Sequence, residues 1–171
     1  MSKTEPDIII IRGAPASGKS ETAKELAKFF PKGVRMEIDN LRSMVISVDW
    51  TNQTEHINIL TISTGLVSDF LSSGFKPVIV VDTFSGDKLN SYLEKLREIN
   101  QDLLISIFGL YTDDITLKSR LEIRSNDKFK EFAISKKINV DTVKFKLENE
   151  FQIDTSSLKS DETAKIIFEN V

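Results

Sequence analysis

The sequence contains no cysteine, so disulfide bonds and thiolate metal sites are excluded, and a cytoplasmic location is expected. The N-terminus, residues 1–7, is polar and lacks the apolar core of a signal peptide. No apolar run approaches the roughly 20 residues that a membrane-spanning helix needs. These absences predict a protein without membrane contact, and a length of 171 residues fits one domain over 1–171.

Basic residues are outnumbered and unevenly placed. The chain has 23 Lys and Arg against 26 acidic residues, and its net charge of −3 argues against a protein that coats nucleic acid. Between positions 118 and 146, however, nine Lys and Arg accompany only four acids. Between positions 43 and 75 there is no Lys or Arg. Positive charge is therefore concentrated in the second half of the chain, and the segment 43–75 offers no cation to an anionic partner.

The strongest functional signal lies in residues 8–20. Four consecutive isoleucines, 8–11, predict a buried strand, and an amphipathic helix is predicted over 19–30. Between them lies the pattern Gly-x-x-x-x-Gly-Lys-Ser, the P-loop, in the strand–loop–helix context that it requires. The alternative, a turn without function, would need this whole match to arise by chance. We therefore predict that a nucleotide binds at Gly13, Ala14, Pro15, Ala16, Ser17, Gly18, Lys19, Ser20 and Glu21.

The spacing of this pattern has a chemical reason. Backbone N–H groups of a wrapped loop can surround a β-phosphate when Gly13 and Gly18 leave space for it. The loop leads into a helix N-terminus, whose free N–H groups and dipole favour an anion. Lys19 can reach the β- and γ-phosphates, and the Ser20 hydroxyl can hold Mg²⁺. The sequence therefore predicts a polyphosphate site that uses Mg²⁺.

The remaining sequence alternates between strand-like and helix-like segments. After a first strand over 7–12, strands are predicted over 34–38, 77–82, 103–110 and 151–154. Helices are predicted over 40–45, 55–73, 87–99, 114–124, 141–150 and from 160 onward. Strands that alternate with helices form right-handed βαβ units, which predict a parallel sheet covered on both faces, a three-layer α/β/α arrangement.

Acidic residues follow three of the predicted strands, at the sheet edge where ligands bind: Asp39, Asp82 and Asp154. Asp39 can accept a proton from a substrate hydroxyl and Arg42 can hold a substrate anion. Alternatively, the two form a helix cap with an ion pair. Asp82 follows Val-Ile-Val-Val, like the acid of a Walker-B strand that faces hydrated Mg²⁺, or it caps the next loop. Ser20 and Asp82 are thus the predicted metal residues.

Arg120 and Arg124 lie four residues apart on a predicted helix and therefore share one face. They belong to the basic part of the chain. One interpretation is a mobile lid, over about 114–138, that closes on the phosphates, excludes water and brings an arginine to the transferring group. The alternative is a solvated helix face, as charge runs usually are.

Three conspicuous residues receive structural interpretations. His56, the only histidine, is interpreted as a polar helix residue, because phosphoryl transfer depends more on positioning than on a base that titrates near neutrality. Trp50 and Phe84 can line an acceptor pocket, but packing is the favoured interpretation for both.

Together these motifs resemble the small P-loop kinases of the nucleoside-monophosphate-kinase type. Within them the chain looks like the branch that contains zeta-toxin-like kinases, chloramphenicol phosphotransferase and the kinase domain of phage polynucleotide kinase. The resemblance extends from about residue 7 to the C-terminus and rests on the P-loop, Asp39-Asn-Leu-Arg42, Val80-Val-Asp-Thr83, Arg120-x-x-x-Arg124 and Ile153-Asp-Thr-Ser156. It implies a P-loop NTPase fold with a five-stranded parallel sheet in the order 2-3-1-4-5 and a helical lid.

The resemblance also implies roles for individual residues. The acid at Asp39 is the candidate general base, and Arg42, with Asp82 and Thr83, belongs to the acceptor site. The catalytic set would be Lys19, Asp39, Arg120 and Arg124. The stretch containing Asp154 and Thr155 would lie near the adenine of ATP.

The function predicted from these features is an ATP-dependent phosphotransferase that moves the γ-phosphoryl group to a hydroxyl or phosphate acceptor. The alternatives are a nucleotide-switched ATPase or binding module, and a polynucleotide 5′-hydroxyl kinase. A switch protein needs sensor loops and an oriented water, for which the sequence offers no clear candidate. Because the segment 43–75 lacks cations and is rich in hydroxyls and amides, a small acceptor is favoured over nucleic acid.

Overall fold

Five parallel strands form one sheet in the computed structural model, which describes residues 5–171. Residues 1–4 of the polar N-terminus considered above lie outside the described residues. The strands are β1 Ile8–Gly13, β2 Val34–Glu37, β3 Val78–Asp82, β4 Ile105–Tyr111 and β5 Glu150–Asp154. Their order, β2-β3-β1-β4-β5, and the parallel direction of every pairing confirm the predicted sheet.

Seven helices within the described range connect these strands and cover both faces of the sheet. They are α1 Lys19–Ala27, α2 Ile38–Arg42, α3 Gln53–Ser72, α4 Lys88–Ile99, α5 Asp114–Ile123, α6 Phe132–Lys144 and α7 Ser160–Glu169. None of these helices is both long and apolar enough to cross a membrane.

The isoleucines of β1 belong to two different cores. Ile8 and Ile10 pack with residues of α3 and α4 on one face of the sheet. Ile9 and Ile11 pack with residues of α1 and α7 on the other face. All four side chains are fully buried, and burying a side chain of this size is worth about 1.5–3 kcal/mol. An uninterrupted apolar strand is therefore what a sheet covered on both faces requires at its centre.

The helix predicted over 141–150 is wrong in its bounds, because α6 spans Phe132–Lys144. The buried side chains of α6 are polar: Ser135, Asn139 and Thr142. Asn139 binds the backbone of Thr112 in both directions, with its Oδ1 3.1 Å from the Thr112 N–H and its Nδ2 2.7 Å from the Thr112 carbonyl. Helices are predicted from apolar residues that recur every three or four positions, and a helix that buries polar groups lacks this pattern. The beginning of α6 could therefore not be predicted from the sequence.

Two further predictions change with the structure. The predicted lid range ends inside α6, and α6 packs against β4 and β1 rather than standing apart from the sheet. The lid itself stays a prediction, and the part of its range that precedes α6 consists of α5 and the segment 124–131. The helix predicted to begin at residue 40 begins at Ile38 with Glu37 as its N-cap, so Asp39 lies in the first turn and is not the cap.

A buried ion pair that the sequence did not reveal crosses the sheet from β1 to β5. The guanidinium of Arg12 donates to Glu150 from Nε at 2.8 Å and from Nη2 at 2.9 Å. The intervening strand β4 presents Gly109 at this level, where an added Cβ would lie 2.2 Å from Glu150 Oε1. A glycine is required there because the pair occupies the space above it.

Candidate active site

A cleft of about 700 Å³ lies beside the carboxyl ends of β1 and β2. Its walls come from the loop after β1, the start of α1, the end of α5 and the segment after β5. The predicted residues that line it are Ala16, Ser17, Gly18, Lys19, Ser20, Glu21, Arg120, Arg124 and Thr155. Arg35, Lys24 and Lys128, which were not predicted, add cations to its walls. Glu21 and Glu37 also line the cleft and pair with Lys24 and Arg35, so the cations that remain for an anionic ligand are Lys19, Arg120, Arg124 and Lys128.

The loop after β1 leaves a helix N-terminus facing the cleft. Gly18 is the N-cap of α1 with φ 96°, in the left-handed region, and no side chain caps the helix. At Gly13 an added Cβ would lie 2.3 Å from the Leu110 carbonyl oxygen. The first-turn N–H groups of α1 therefore remain free for a ligand, as a phosphate cradle requires.

Lys19 lies at the centre of the site. Its ammonium donates to the Ala14 carbonyl at 2.8 Å, across the mouth of the loop. Burial lowers the pKa of Lys19 to about 8, although the charges of Asp82 and Asp39 oppose this shift. The structure thus brings Lys19, Asp39 and Asp82 within electrostatic reach of one another, as the sequence predicted for residues at the carboxyl edge.

The two carboxylates near Lys19 differ in their surroundings. Asp82, at the end of β3, is buried, and both of its oxygens are engaged: Oδ1 lies 3.0 Å from His56 Nε2, and Oδ2 accepts from the Phe84 N–H at 2.9 Å. Asp39 is exposed, and its carboxylate has no hydrogen-bond partner among residues 5–171. Desolvation by the surrounding protein and the nearby charge of Asp82 raise the pKa of Asp39. One acid is fixed and the other is free.

His56 was missed as a member of the site. It is buried near the start of α3, with Nε2 toward Asp82 and Nδ1 3.0 Å from the Lys88 ammonium. Topology could have revealed it, because a helix that precedes a parallel strand places its own N-terminus at the carboxyl edge of the sheet. The buried position of Phe84 agrees with the predicted packing role.

Arg42 is buried rather than presented to the cleft. Its guanidinium carbon lies 4.8 Å from the centre of the Trp50 ring, Nη2 donates to the Asp49 carbonyl at 3.1 Å, and Glu55 lies 3.7 Å away. The alternative ion pair with Asp39 is absent from the described residues. Arg42 therefore holds the segment 49–55 beside the site.

The two predicted lid arginines have different contacts. Arg120 binds Thr155 twice, at Oγ1 (3.0 Å) and at the carbonyl oxygen (2.6 Å), and Thr155 Oγ1 donates to the Ser17 carbonyl at 2.9 Å. Arg120 therefore joins α5 to the loop after β1. Arg124 follows the last turn of α5 and donates to the Phe129 carbonyl at 2.9 Å. Burial lowers the pKa of Arg124 while the Asp39 charge opposes the shift, which places Arg124 on the Asp39 side.

Other predicted residues have smaller parts in this geometry. Asp154 is exposed and accepts from the Ser156 N–H at 2.9 Å, so it closes a turn. Glu21 pairs with Lys24 at 2.6 Å. Within residues 5–171 no group of three or more acidic, His or Cys side chains could hold a metal. Ser20, which lines the cleft, and Asp82, whose charge acts on the adjacent Lys19, nevertheless offer oxygen ligands that suit Mg²⁺, which usually takes few protein ligands and keeps water and phosphate oxygens.

A second cavity, of about 410 Å³, lies between α3 and α4. Its lining includes the apolar side chains of Ile57, Leu60 and Tyr92, with Gln53 and Lys88 at the side nearest His56.

Comparison with known proteins agrees with this architecture. Residues 8–148 match the model of a family described as AAA domain. No curated protein sequence matches the chain.

Solved structures with the same fold include the tunicamycin resistance protein of Deinococcus radiodurans, with a TM-score of 0.69 and 17% identity over 98% of this chain and 95% of that one. A gluconokinase from Sinorhizobium meliloti has a TM-score of 0.66 and 17% identity over 98% and 97% of the two chains. Shikimate kinase from Acinetobacter baumannii, in complex with shikimate, has a TM-score of 0.63 and 14% identity over 98% and 93%. At 14–17% identity these structures show that the chain shares their fold. The shared fold confirms the resemblance to small P-loop kinases.

Proposed function

The chain belongs to the AAA domain family, and from this premise we propose that it is a kinase that transfers the γ-phosphoryl group of ATP to a small-molecule acceptor. The observation that carries the proposal is the pair of unlike carboxylates beside Lys19, Asp82 fixed and Asp39 free. A carboxylate that is free at this place can take the proton of an acceptor hydroxyl. A cytoplasmic location, where ATP is available, suits the cysteine-free sequence.

Asp39 is the proposed general base. A raised pKa brings a carboxylate closer to the pKa that a base needs near neutrality, and its oxygens are not occupied by other donors. In the reaction Asp39 takes the proton of the acceptor hydroxyl. The acceptor oxygen forms a bond to the γ-phosphorus, the bond from that phosphorus to the β–γ bridging oxygen breaks, and ADP leaves.

The remaining residues of the cleft are proposed to position ATP. The free N–H groups at the start of α1 would hold the β-phosphate, and the Lys19 ammonium would leave the Ala14 carbonyl for the β- and γ-phosphate oxygens. Ser20 and Asp82 would hold Mg²⁺, which when bound neutralises charge on the phosphoryl group. Arg120 and Thr155 would order the ATP side, and Arg124, nearer Asp39, would stabilise the charge of the transferred group.

A small acceptor is proposed over a polynucleotide end for two reasons. No Lys or Arg occurs in the segment 43–75, and Arg42, the cation predicted to hold an acceptor anion, is committed to Trp50 and Asp49. A long anionic strand would therefore find few partners beside Asp39. The cavity of about 410 Å³ between α3 and α4 has room for a small molecule close to the site.

The test is a screen of the purified protein with ATP and Mg²⁺ against hydroxyl-bearing metabolites, nucleosides and oligonucleotide 5′ ends. We expect ADP release above the no-acceptor rate with a small molecule, and loss of that increment in Asp39→Asn. Release that is the same with every acceptor and unchanged in Asp39→Asn would overturn the kinase assignment in favour of an ATPase. An increment with oligonucleotides alone would overturn the proposed acceptor class.

A further inference from the structure

His56 bridges two elements that the proposed mechanism leaves unconnected. Its imidazole lies between the end of β3 and the start of α4, with 3.0 Å from Nε2 to Asp82 Oδ1 and 3.0 Å from Nδ1 to Lys88 Nζ. The ring is buried. Lys88 also donates to Gln53 Oε1 at 2.6 Å, so the ammonium is held from the first turn of α3 as well.

The partners of His56 determine which ring nitrogen carries the proton. An ammonium group has only donors, so Nδ1 must accept the hydrogen bond from Lys88. Nε2 must then carry the hydrogen and donate it to Asp82 Oδ1. The opposite tautomer would set two donors against each other at Lys88 and two acceptors against each other at Asp82. Lys88 thereby selects one tautomer of a neutral imidazole.

This donor completes the hold on Asp82. Oδ1 receives the His56 N–H and Oδ2 receives the Phe84 N–H, so rotation of the carboxylate would break at least one hydrogen bond in a buried place. Asp82 contributes to the charge that acts on both Lys19 and Asp39. Its orientation therefore affects the two charged groups that the proposed reaction places at the phosphates and at the acceptor hydroxyl, Lys19 and Asp39.

We propose that His56 is a positioning residue: with its tautomer selected by Lys88, it orients Asp82 beside Lys19 for phosphoryl transfer. The inference rests on the proposed function for its role in catalysis, whereas the tautomer and the orientation of Asp82 are properties of the chain alone. Partners that orient a metal-site carboxylate in this way typically change metal affinity or activity by about 10- to 100-fold when removed.

The first experiment reads the tautomer directly. Because His56 is the only histidine, a long-range ¹H–¹⁵N spectrum of the imidazole reports one ring. We expect the Nε2-protonated form in the wild type, and a mixture of tautomers in Lys88→Met. A wild-type ring protonated at Nδ1, or a spectrum unchanged in Lys88→Met, would overturn the role of Lys88. Neither result depends on whether an acceptor has been found.

The second experiment compares two amide substitutions. His56→Gln can place an N–H near the position of Nε2, whereas the shorter His56→Asn cannot reach Asp82. In wild type and both variants, ADP affinity is measured by calorimetry with and without Mg²⁺, and Asn58→Ala, an exposed change on α3, serves as the matched control. Mg²⁺ is expected to raise ADP affinity in the wild type, and His56→Asn should reduce this gain by about 10- to 100-fold. In His56→Gln the gain should stay within about threefold of the wild type. The ADP affinity measured without Mg²⁺ should be the same in the wild type and in every variant.

The turnover number separates this inference from the proposed function. Once an acceptor is known, kcat should fall in His56→Asn more than KM for ATP rises, and His56→Gln should restore it. Equal losses in both variants with equal losses of thermal stability would reduce His56 to a packing residue and overturn the inference. If ADP release is the same with every acceptor and unchanged in Asp39→Asn, while His56→Asn and His56→Gln differ in Mg²⁺-dependent ADP affinity, the kinase proposal fails and the positioning of Asp82 stands.

Discussion

The two sides of the proposed site, one for ATP and one for the acceptor, are built in different ways. The ATP side, residues 13–20 with Arg120 and Thr155, takes most of its groups from one continuous stretch of backbone. The acceptor side, Asp39, Arg42, His56 and Asp82, comes from separate elements: 26 positions separate His56 from Asp82, and 32 separate Lys88 from His56. The ATP side depends on backbone conformation, whereas the acceptor side depends on side chains that only the complete fold brings together.

This difference has consequences for how each side responds to change. Backbone N–H groups at a helix N-terminus cannot be removed by substituting one side chain, so the phosphate cradle should survive most point changes. On the acceptor side the orientation of Asp82 depends on its hydrogen bond with His56, and the orientation of His56 depends on its hydrogen bond with Lys88. A single substitution there should disturb orientation without preventing ATP from binding.

The largest effect is expected on the ATP side from a change of Lys19, the side chain proposed to contact the phosphates directly. Lys19→Ala removes the ammonium proposed to contact the β- and γ-phosphates, and transfer should fall by about 10³-fold or more. Folding should survive, because Lys19 contacts the loop carbonyl of Ala14 and not the apolar core. Single-turnover phosphoryl transfer and thermal unfolding measure the two effects. Lys28→Ala, an exposed change at the C-cap of α1 and outside the cleft, is the control, and equal turnover in both variants would contradict the assignment.

The next effect tests the acceptor side. Asp39→Asn keeps the shape of the side chain but cannot accept a proton, so transfer should fall by about 10²- to 10⁴-fold while ATP affinity stays nearly constant. Glu94→Gln makes the same chemical change on the exposed face of α4 and should have no effect. Rate and ATP affinity are measured in parallel. A variant of Asp39 that loses ATP binding as strongly as turnover would remove the distinction between the two sides.

A change away from both sides should affect the fold rather than the chemistry. Glu150→Gln leaves the buried Arg12 guanidinium without a charged partner, and breaking such a pair costs about 3–5 kcal/mol of unfolding free energy. Denaturant unfolding measures the loss. The double variant Arg12→Met/Glu150→Leu removes both charges and should recover most of the stability. Equal destabilisation of single and double variants would mean that packing around Gly109, and not the unpaired charge, sets the cost.

The sequence predicted the sheet well because its signals are local. Four isoleucines predict a strand buried on both faces, and the P-loop pattern predicts the loop and the helix directly after that strand. Helix α6 was misplaced because its buried side chains, Ser135, Asn139 and Thr142, are polar and leave no apolar period, and the contact of Asn139 with the Thr112 backbone forms only in the folded chain. On the acceptor side the acids at the strand ends could be predicted from topology. Their division into a fixed and a free carboxylate could be predicted only in part: the contact of Asp82 with the Phe84 N–H is the loop cap that the sequence offered as an alternative, whereas His56 lies 26 positions away and reaches Asp82 only in the folded chain.

A smaller effect should separate the two lid arginines. Arg124 lies on the Asp39 side, so Arg124→Ala should lower kcat by about 10²-fold with little change in KM for ATP. Arg120 anchors Thr155, which contacts the P-loop, so Arg120→Ala should raise KM for ATP as well. Steady-state kinetics with varied ATP distinguishes them, and Lys118→Ala on an exposed part of α5 is the control. Identical kcat and KM changes in both arginine variants would show that they act as one unit.

The smallest expected effect is a pH dependence that belongs to the ATP side alone. Burial gives Lys19 a pKa of about 8 in the free protein, and phosphate oxygens should favour its charged form. ATP binding therefore takes up a proton near pH 8, and affinity should fall as pH rises through that value, by about tenfold between pH 7 and pH 9. Titration of a fluorescent ATP analogue measures the profile, and calorimetry in two buffers of different ionisation enthalpy measures the proton. Lys19→Met should bind more weakly with a flat profile. A wild-type affinity that is constant from pH 7 to 9 would mean that Lys19 is fully charged before ATP arrives and that its burial has no effect on binding.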